Sequence, residues 1–388
     1  MREPEFAPGA LASSNAIAVH PSAPVAGLHD GSQALVQEFA YRYGESYDSY
    51  LATDPARTLF WSSAQQGLVS YRLQGRHALV GGGLLAAAEH KRQLLHEFVD
   101  FASHTGLRIV FHNICDHDLP LFRSFGFQVT KWGEEPIVDL EGCTWSGKAY
   151  EWVRRQTNFC LRQGVQAFEV HPDGMSEPEW SRTFTEVLEV AQQSLATKPQ
   201  SGEMEFYDGS LAEHPLGLRR LFIARSEEGA GRIEGFVVCN PMLNGNCWAA
   251  EIYRHRLDSV RGTVPFLIHH ILKQLQSEGV ENLSLCLIPA QGCKTPTTGD
   301  SVLLRYGLQL MEHGFNWVFD IAGMRHFKTR FRPRFEDRYM CALPDVSLGS
   351  IVAMLGAFGA LRLDYGKVAR ILLGRMRKRA ARATLAQV

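Results

Sequence analysis

Strand and helix signals alternate through most of this 388-residue chain in an order that occurs twice, and that repeat limits its possible folds more than any single motif. In the first half, Thr58–Ser63 and Gly67–Leu73 read as short strands, Ala87–His104 as an amphipathic helix and Arg108–Asn113 as a strand. His117–Phe125 reads as a helix, and Gly126–Trp132 and Ile137–Leu140 as closing strands. The second half predicts a helix over Glu177–Ala196, then strands over Arg219–Arg225, Ile233–Pro241 and Cys247–Arg254. A helix over Val264–Glu278, a strand over Asn282–Ile288, a helix over Ser301–His313 and a last strand over Glu336–Leu343 complete it.

A strand meander followed by helix, strand, helix and strand is the order of the GNAT-type acyltransferase fold. The expectation is therefore an α+β chain of two tandem GNAT-like domains, which the length accommodates. The expected boundaries are a flexible tail over 1–30, an N-terminal GNAT-like domain over 31–142 and a connecting basic helix over 143–165. A C-terminal GNAT-like catalytic domain follows over 166–346, then an apolar and afterwards basic segment over 347–388. In the connector, Ser146-Gly147-Lys148 leads into a helix through Arg154, Arg155 and Arg162, with Ser146 as its cap and Gly164 as its end.

A hydrophobic content of 45% with 21% charged residues fits a chain that buries a full core. Eight cysteines without a Cys-x-x-Cys pair argue against a zinc site or a disulfide framework and for a reducing, cytoplasmic compartment. His112, Cys115, Asp116 and His117 have ligand chemistry, but they straddle a strand end and a helix start, so their side chains diverge and no metal is expected. Gly81-Gly82-Gly83 after a strand is a flexible turn or a phosphate cradle. The N-terminal stretch builds no apolar core of the signal-peptide kind.

No run reaches the roughly 18 to 20 apolar residues that span a bilayer. Leu348–Leu361 comes nearest, and eight Lys or Arg against Asp364 alone follow it. That suits a helix lying on an anionic membrane surface, at the inner membrane face for a cytoplasmic protein, with contact through residues 348–382. The alternative is a docked helix with a basic tail.

Residues 323–340 concentrate six Lys and Arg side chains in a chain of formal net charge −1. Phe327, Phe331, Phe335 and Tyr339 recur every four residues, which predicts a helical turn with an aromatic inner face, ended by Pro333. Arg325, Lys328, Arg330 and Arg332 then fall on its other faces. Cations interleaved with aromatics suit a nucleic-acid backbone or an anionic headgroup, or else a solvated face over an aromatic core.

Taken in order, Phe125-Gly126-Phe127, Gly133-Glu134-Glu135, Val138-Asp139-Leu140, Ser146-Gly147-Lys148 and Arg154-Arg155 resemble the catalytic domain of the phosphatidylglycerol lysyltransferases. Gly323-x-Arg325-x-Phe327-Lys328-x-x-Phe331-x-Pro333 and Arg338-Tyr339 extend the resemblance to roughly residues 35 to 345. It implies a tandem GNAT-like fold and transfer of an aminoacyl group from aminoacyl-tRNA, as co-substrate and without a cofactor, to a hydroxyl acceptor. In the best-known members that acceptor is phosphatidylglycerol. Those members usually carry a multi-span membrane domain that this sequence does not contain, so lipid flipping is not expected of it.

The family's acidic and basic pair falls on Glu251-Ile252-Tyr253-Arg254, one methylene longer at the carboxylate. The resemblance implies that Glu251 holds the α-ammonium and that Arg254 offsets its charge or binds an anion; the plainer reading is a surface ion pair. Glu203 in Glu203-Met204 resembles part of a loop closing over the aminoacyl group. Arg261-Gly262-Thr263 stands where a GNAT phosphate loop meets its helix, but a second glycine is missing, which favours an aminoacyl-tRNA end over coenzyme A; a simple helix cap by Thr263 is the other reading. Arg325, Lys328 and Arg330 are assigned to phosphates or to charge developing in the reaction, and Lys148, Arg154 and Arg155 extend the basic surface. The rival functions are an acyl-coenzyme A-dependent N-acyltransferase and a non-catalytic membrane-binding or RNA-binding module.

Overall fold

The computed structural model describes residues 30–196, 211, 216–227, 231–313, 320–357 and 366. The expected tail over 1–29, Glu203, and the chain beyond 357 apart from Gly366 lie outside the described residues.

The first half opens with α1 (Asp30–Tyr43) and a 3-10 turn at Ser49–Thr53. Then come β1 (Thr58–Trp61), β2 (Gly67–Gln74), β3 (His77–Val80), β4 (Leu85–Ala86), α2 (Ala88–Thr105), β5 (Arg108–Ile114), α3 (Leu119–Ser124) and β6 (Gln128–Asp139). The connector is α4 (Glu151–Arg162), and β7 (Val165–Val170), α5 (Glu177–Ala196), β8 (Arg220–Ser226), β9 (Ile233–Met242) and β10 (Cys247–His255) follow. The chain continues through α6 (Thr263–Ser277), β11 (Asn282–Ser284), β12 (Ile288–Pro289), α7 (Val302–His313), α8 (Ile321–Lys328), β13 (Arg334–Leu343) and α9 (Leu348–Ala357).

Each half is a GNAT-type unit: antiparallel strands, then one parallel pair that lies across a helix. Those pairs are β3 with β5 and β10 with β11. All thirteen strands nevertheless form one sheet, in the order β1-β2-β3-β5-β13-β6-β11-β10-β9-β8-β7, with β4 on β2 and β12 on β6. The closing strands are shared across the midpoint. β13, last in the second half, lies between β5 and β6 of the first, and β6 pairs with β11 of the second.

Period-two patterning explains the layers. On β9, Val237 and Cys239 face α4 and α6, while Phe236 and Val238 face α5, so every position of that strand is buried. In the first half, α2 and α3 cover β2, β3 and β5 through Leu94, Phe98 and Phe122. The opposite face carries α7 and α9 through Leu304, Leu308, Ala353 and Met354.

Three sequence expectations change here. Gly126–Trp132 and Ile137–Leu140 are one 12-residue strand, β6, that runs through Gly133 and Pro136. A β-carbon on Gly133 would lie 2.5 Å from the Ile288 carbonyl, so glycine there admits β12 rather than breaking the strand. Pro136 faces the gap between β11 and β12, where no ladder donor is wanted, and its carbonyl still accepts from Leu285 N–H at 2.9 Å. Conversely, the strand expected over Asn282–Ile288 breaks into β11 and β12 at Cys286, whose φ is 62°. Ser146 does not cap α4: its hydroxyl pairs with Thr144 at 2.6 Å, and Tyr150 precedes the helix without a side-chain cap.

A buried charge pair locks the shared strands. Arg338 on β13 donates through Nε to Glu135 Oε2 on β6 at 2.6 Å and through Nη2 to Glu336 at 2.9 Å, and Ser284 on β11 donates to the other Glu135 oxygen. Glu135 is fully buried and Arg338 nearly so. The Gly133-Glu134-Glu135 and Arg338-Tyr339 motifs are thus structural partners separated by some 200 residues in sequence.

Candidate functional site

The parallel pair of β10 and β11 ends at Ala249 opposite Ser284, and beyond that point the strands separate. The register of β10 against β9 shifts between Ala250 and Ile252, which makes Glu251 the extra residue of a β-bulge. The shift reverses the alternation: Trp248 and Ala250 face α6, yet Ile252 packs on the α5 side and Tyr253 on the α6 side. A bulge re-aims the side chain it carries, and here that side chain is a 6% exposed carboxylate.

The other wall is the broken strand. Lys328, 2% exposed at the end of α8, donates through Nζ to the carbonyls of Cys286 at 2.9 Å and Leu287 at 3.1 Å. Cys286 Sγ in turn donates to the Ala250 carbonyl at 3.3 Å, next to Glu251. Lys328 therefore holds the carbonyls of the broken strand, and the Cys286 thiol links that break to β10 one residue before Glu251.

Lys328 departs from the helical-face expectation. It points inward, whereas Arg325 is exposed, because the turn tightens into a 3-10 segment over Thr329–Phe331 and Arg332 adopts φ 55°. Phe331 is fully buried and stacks edge-on against Phe327, whose ring lies 6.0 Å from Tyr253. The period of four stops there: Phe335 and Tyr339 belong to β13.

The same turn joins the connector. The Arg330 guanidinium lies 5.6 Å over the Trp152 ring and donates to His326 at 2.9 Å, and Arg332 Nε donates to the Ala149 carbonyl at 3.3 Å. Lys148 and Arg155 are exposed beside them, while Arg154 is half-buried and donates to the Trp145 carbonyl at 3.0 Å. One basic surface thus runs from α4 to α8. Arg254 is buried and donates to its neighbour Tyr253's carbonyl at 3.1 Å, and Glu251 is buried as well, so neither lies on the surface as the plainer reading has it.

The phosphate-loop region is altered more than its sequence suggests. Gly262, not Thr263, occupies the cap of α6, at φ 92°, and Thr263 Oγ1 donates backward to the Val260 carbonyl at 2.6 Å. The connector helix fills the space in front. A β-carbon on Gly262 would lie 2.7 Å from Gln156 Oε1, and Cys160 Sγ donates to the Arg261 carbonyl at 3.6 Å. Val260 N–H is taken by the buried Glu234 carboxylate at 3.2 Å, which leaves this loop ill suited to a pyrophosphate.

The candidate metal-type residues separate as their sequence positions imply. His112 is fully buried, its pKa pushed down to about 3 by burial and then by Arg57, while His117 lies on the surface. Burial pushes the Cys115 thiol up to about 12. Among the described residues, Glu45, His117 and Asp118 converge, and Lys91 Nζ already bridges Glu45 and Asp118 at 2.8 and 2.9 Å.

Two GNAT-type units with a shared sheet, and a phosphate-loop region whose backbone is taken up by protein groups, define the class: a tandem-GNAT chain. The sequence profile described as Phosphatidylglycerol lysyltransferase, C-terminal, matches residues 37–342, and the chain belongs to that family. The Phosphatidylglycerol lysyltransferase of Staphylococcus haemolyticus is 26% identical over 308 residues, 79% of this chain and 35% of the relative, so the chain spans about a third of that protein's length. The Staphylococcus aureus counterpart is 24% identical over 319 residues, covering 80% of this chain and 36% of its own. The structure of L-PGS from Bacillus licheniformis superposes with a TM-score of 0.70 at 22% identity, over 84% of this chain and 95% of that one, and shares the fold.

Proposed function

We propose that this chain moves an aminoacyl group from an aminoacyl-tRNA to the hydroxyl of a membrane lipid such as phosphatidylglycerol. What supports this reading is that a member of this family buries Lys328 on the broken strand and Glu251 on the neighbouring bulge of β10. The acceptor oxygen forms the new ester bond as the bond to the tRNA ribose breaks, and the acceptor's proton ends on the ribose oxygen. Glu251 holds the α-ammonium, and Lys328, helped by Arg325, offsets charge on the carbonyl oxygen and the departing ribose oxygen. Lys148, Arg154, Arg155 and Arg330 supply the polyanion surface, and Arg254 and Glu203 complete the substrate contacts, while Gly262 and Thr263 shape the start of α6.

No helix among the described residues is long and apolar enough to cross a membrane. Peripheral contact is proposed for residues 348–382, of which α9 exposes Leu348 and Val352. Purified protein, mixed labelled aminoacyl-tRNAs and phosphatidylglycerol vesicles should yield label in the organic phase. Label that stays on tRNA under every condition overturns the reading. Coenzyme A should give no thermal shift, because Gln156 and Glu234 occupy its phosphate position; binding there would favour the N-acyltransferase.

A further inference from the structure

Asn113 on β5 and Asn240 on β9 reach neighbouring residues of one loop. Asn113 Nδ2 donates to Asp48 Oδ2 at 2.9 Å, and Asn240 Nδ2 donates to the Tyr47 carbonyl at 3.2 Å. Five steps of the sheet separate those strands, about 24 Å if flat, yet Tyr47 and Asp48 are one residue apart, about 3.8 Å. The sheet therefore curls round the segment between α1 and β1. Further contacts fix that segment to the second half: Leu243 N–H donates to the Gly44 carbonyl at 2.8 Å, and Leu218 N–H to Tyr50 Oη at 2.8 Å.

Residues of both halves meet inside the curl. Asp48 and Arg57 press on Gly81 at the end of β3: a β-carbon there would lie 2.9 Å from Arg57 Nη1 and 3.0 Å from Asp48 Oδ2. Asn240, which reaches Tyr47, pairs with Ala249 two residues before Glu251 and its bulge, and Arg219, directly before β8 and 1% exposed, follows Leu218, whose N–H reaches Tyr50. Burial opposes the charge on both guanidiniums. For Arg57 it is offset by Asp48, Asp54 and Glu251, with Arg72 and His112 also near; for Arg219 it is offset by Glu251, Tyr50 and Asp54. Across the sheet, Cys239 on β9 also senses Glu251. His112 is neutral at ordinary pH, and Arg72 opposes the Arg57 charge.

We infer that Arg57, from the first half, and Arg219 are positioning residues for Glu251, fixing the place and charge of its carboxylate so that the site is incomplete without the first half. This rests on the reading of Glu251 as the ligand of the α-ammonium. An ammonium needs an ionised partner, and a cation facing a carboxylate makes protonation harder. A first-half arginine thus acts on chemistry lodged in the second.

The test measures the rate from mixed aminoacyl-tRNA to phosphatidylglycerol vesicles between pH 5 and 8, with a thermal melt for each variant. Arg57→Gln and Arg219→Gln should move the acid limb of the rate upward by about one pH unit. Arg57→Lys, which keeps the charge, should return it to the wild-type position. Folded Gln variants with a wild-type acid limb overturn the inference, however slow they are. Arg219→Gln lies on a separate element and carries the same expectation where Arg57→Gln fails to fold. Glu251→Gln at the wild-type rate overturns the reading beneath, and a dead Glu251→Gln with unmoved limbs overturns the positioning role alone.

Discussion

The two parallel pairs are the same device put to opposite ends. Where β3 and β5 separate, Gly81-Gly82-Gly83 would be the phosphate cradle, but the turn at Ser46–Ser49 sits in it. Ser49 Oγ donates to the Gly82 carbonyl at 3.1 Å, and a β-carbon on Gly82 would lie 2.6 Å from Ser49 Cα. Where β10 and β11 separate, a lysine holds the carbonyls of the broken strand and a bulge carries Glu251. The first opening has become a wall, and the second carries the Lys328 ammonium on the carbonyls of its broken strand. Duplicated geometry leaves one copy free to support the other.

The largest expected effect comes from breaking what the halves share. Arg338→Met leaves Glu135 buried without its guanidinium and should cost about 3 to 5 kcal/mol in denaturant unfolding. A loss below about 1 kcal/mol would show that the pair does not hold the shared strands. Next, Lys328→Ala should lower the aminoacyl-transfer rate about 100-fold or more. Ser49→Ala, at the corresponding place in the first half, should leave that rate within about twofold; equal losses would erase the contrast.

A pH comparison sharpens it further, because each half buries one neutral histidine. Burial, then Arg57, lowers His112 to about 3, and burial, then Lys273, lowers His269 to about 4, from 6.5. The unfolded chain binds protons near 6.5 that the folded chain refuses. Their share of stability is therefore complete above that pH and falls by about 1.4 kcal/mol per unit for each histidine as pH drops, until about 4 for His269 and about 3 for His112. His269→Gln should remove about half of this histidine slope between pH 6.5 and 4, read from thermal melts; an unchanged slope would contradict it. The smallest effect is steric. Gly262→Ala meets both a φ of 92° and Gln156, and should cost about 2 kcal/mol, against about 1 for Gly75→Ala, where φ is 61° and space is open.

Much of the fold was legible because its patterns are local. Helix α5 runs over the residues its periodicity indicates, Glu177–Ala196, and β9 follows from an unbroken apolar run. The short β3 and the edge strand β7 escaped notice, the first for its four residues and the second because its outer positions, Gln166, Phe168 and Glu169, blur the alternation. Glu251 and Lys328 stood out through the resemblance, and both side chains are buried, the first on the bulge of β10 and the second against the broken strand. Arg57 and Arg219 did not, although Asp54 lies three residues before Arg57. Their meaning depends on the curl that sets β5 beside β9, and no local pattern encodes a curl.

The position of β13 has a consequence for synthesis. Its Cys341 pairs with Phe111, about 230 residues earlier, so at ordinary translation speeds roughly 10 to 50 seconds pass between the making of β5 and of its neighbour. Throughout that interval the middle of the sheet carries two open edges on a ribosome-bound chain. Among the described residues β13 is the last strand made and the one that closes the first unit, so the nascent chain depends on protection of those edges until Arg334–Leu343 has emerged.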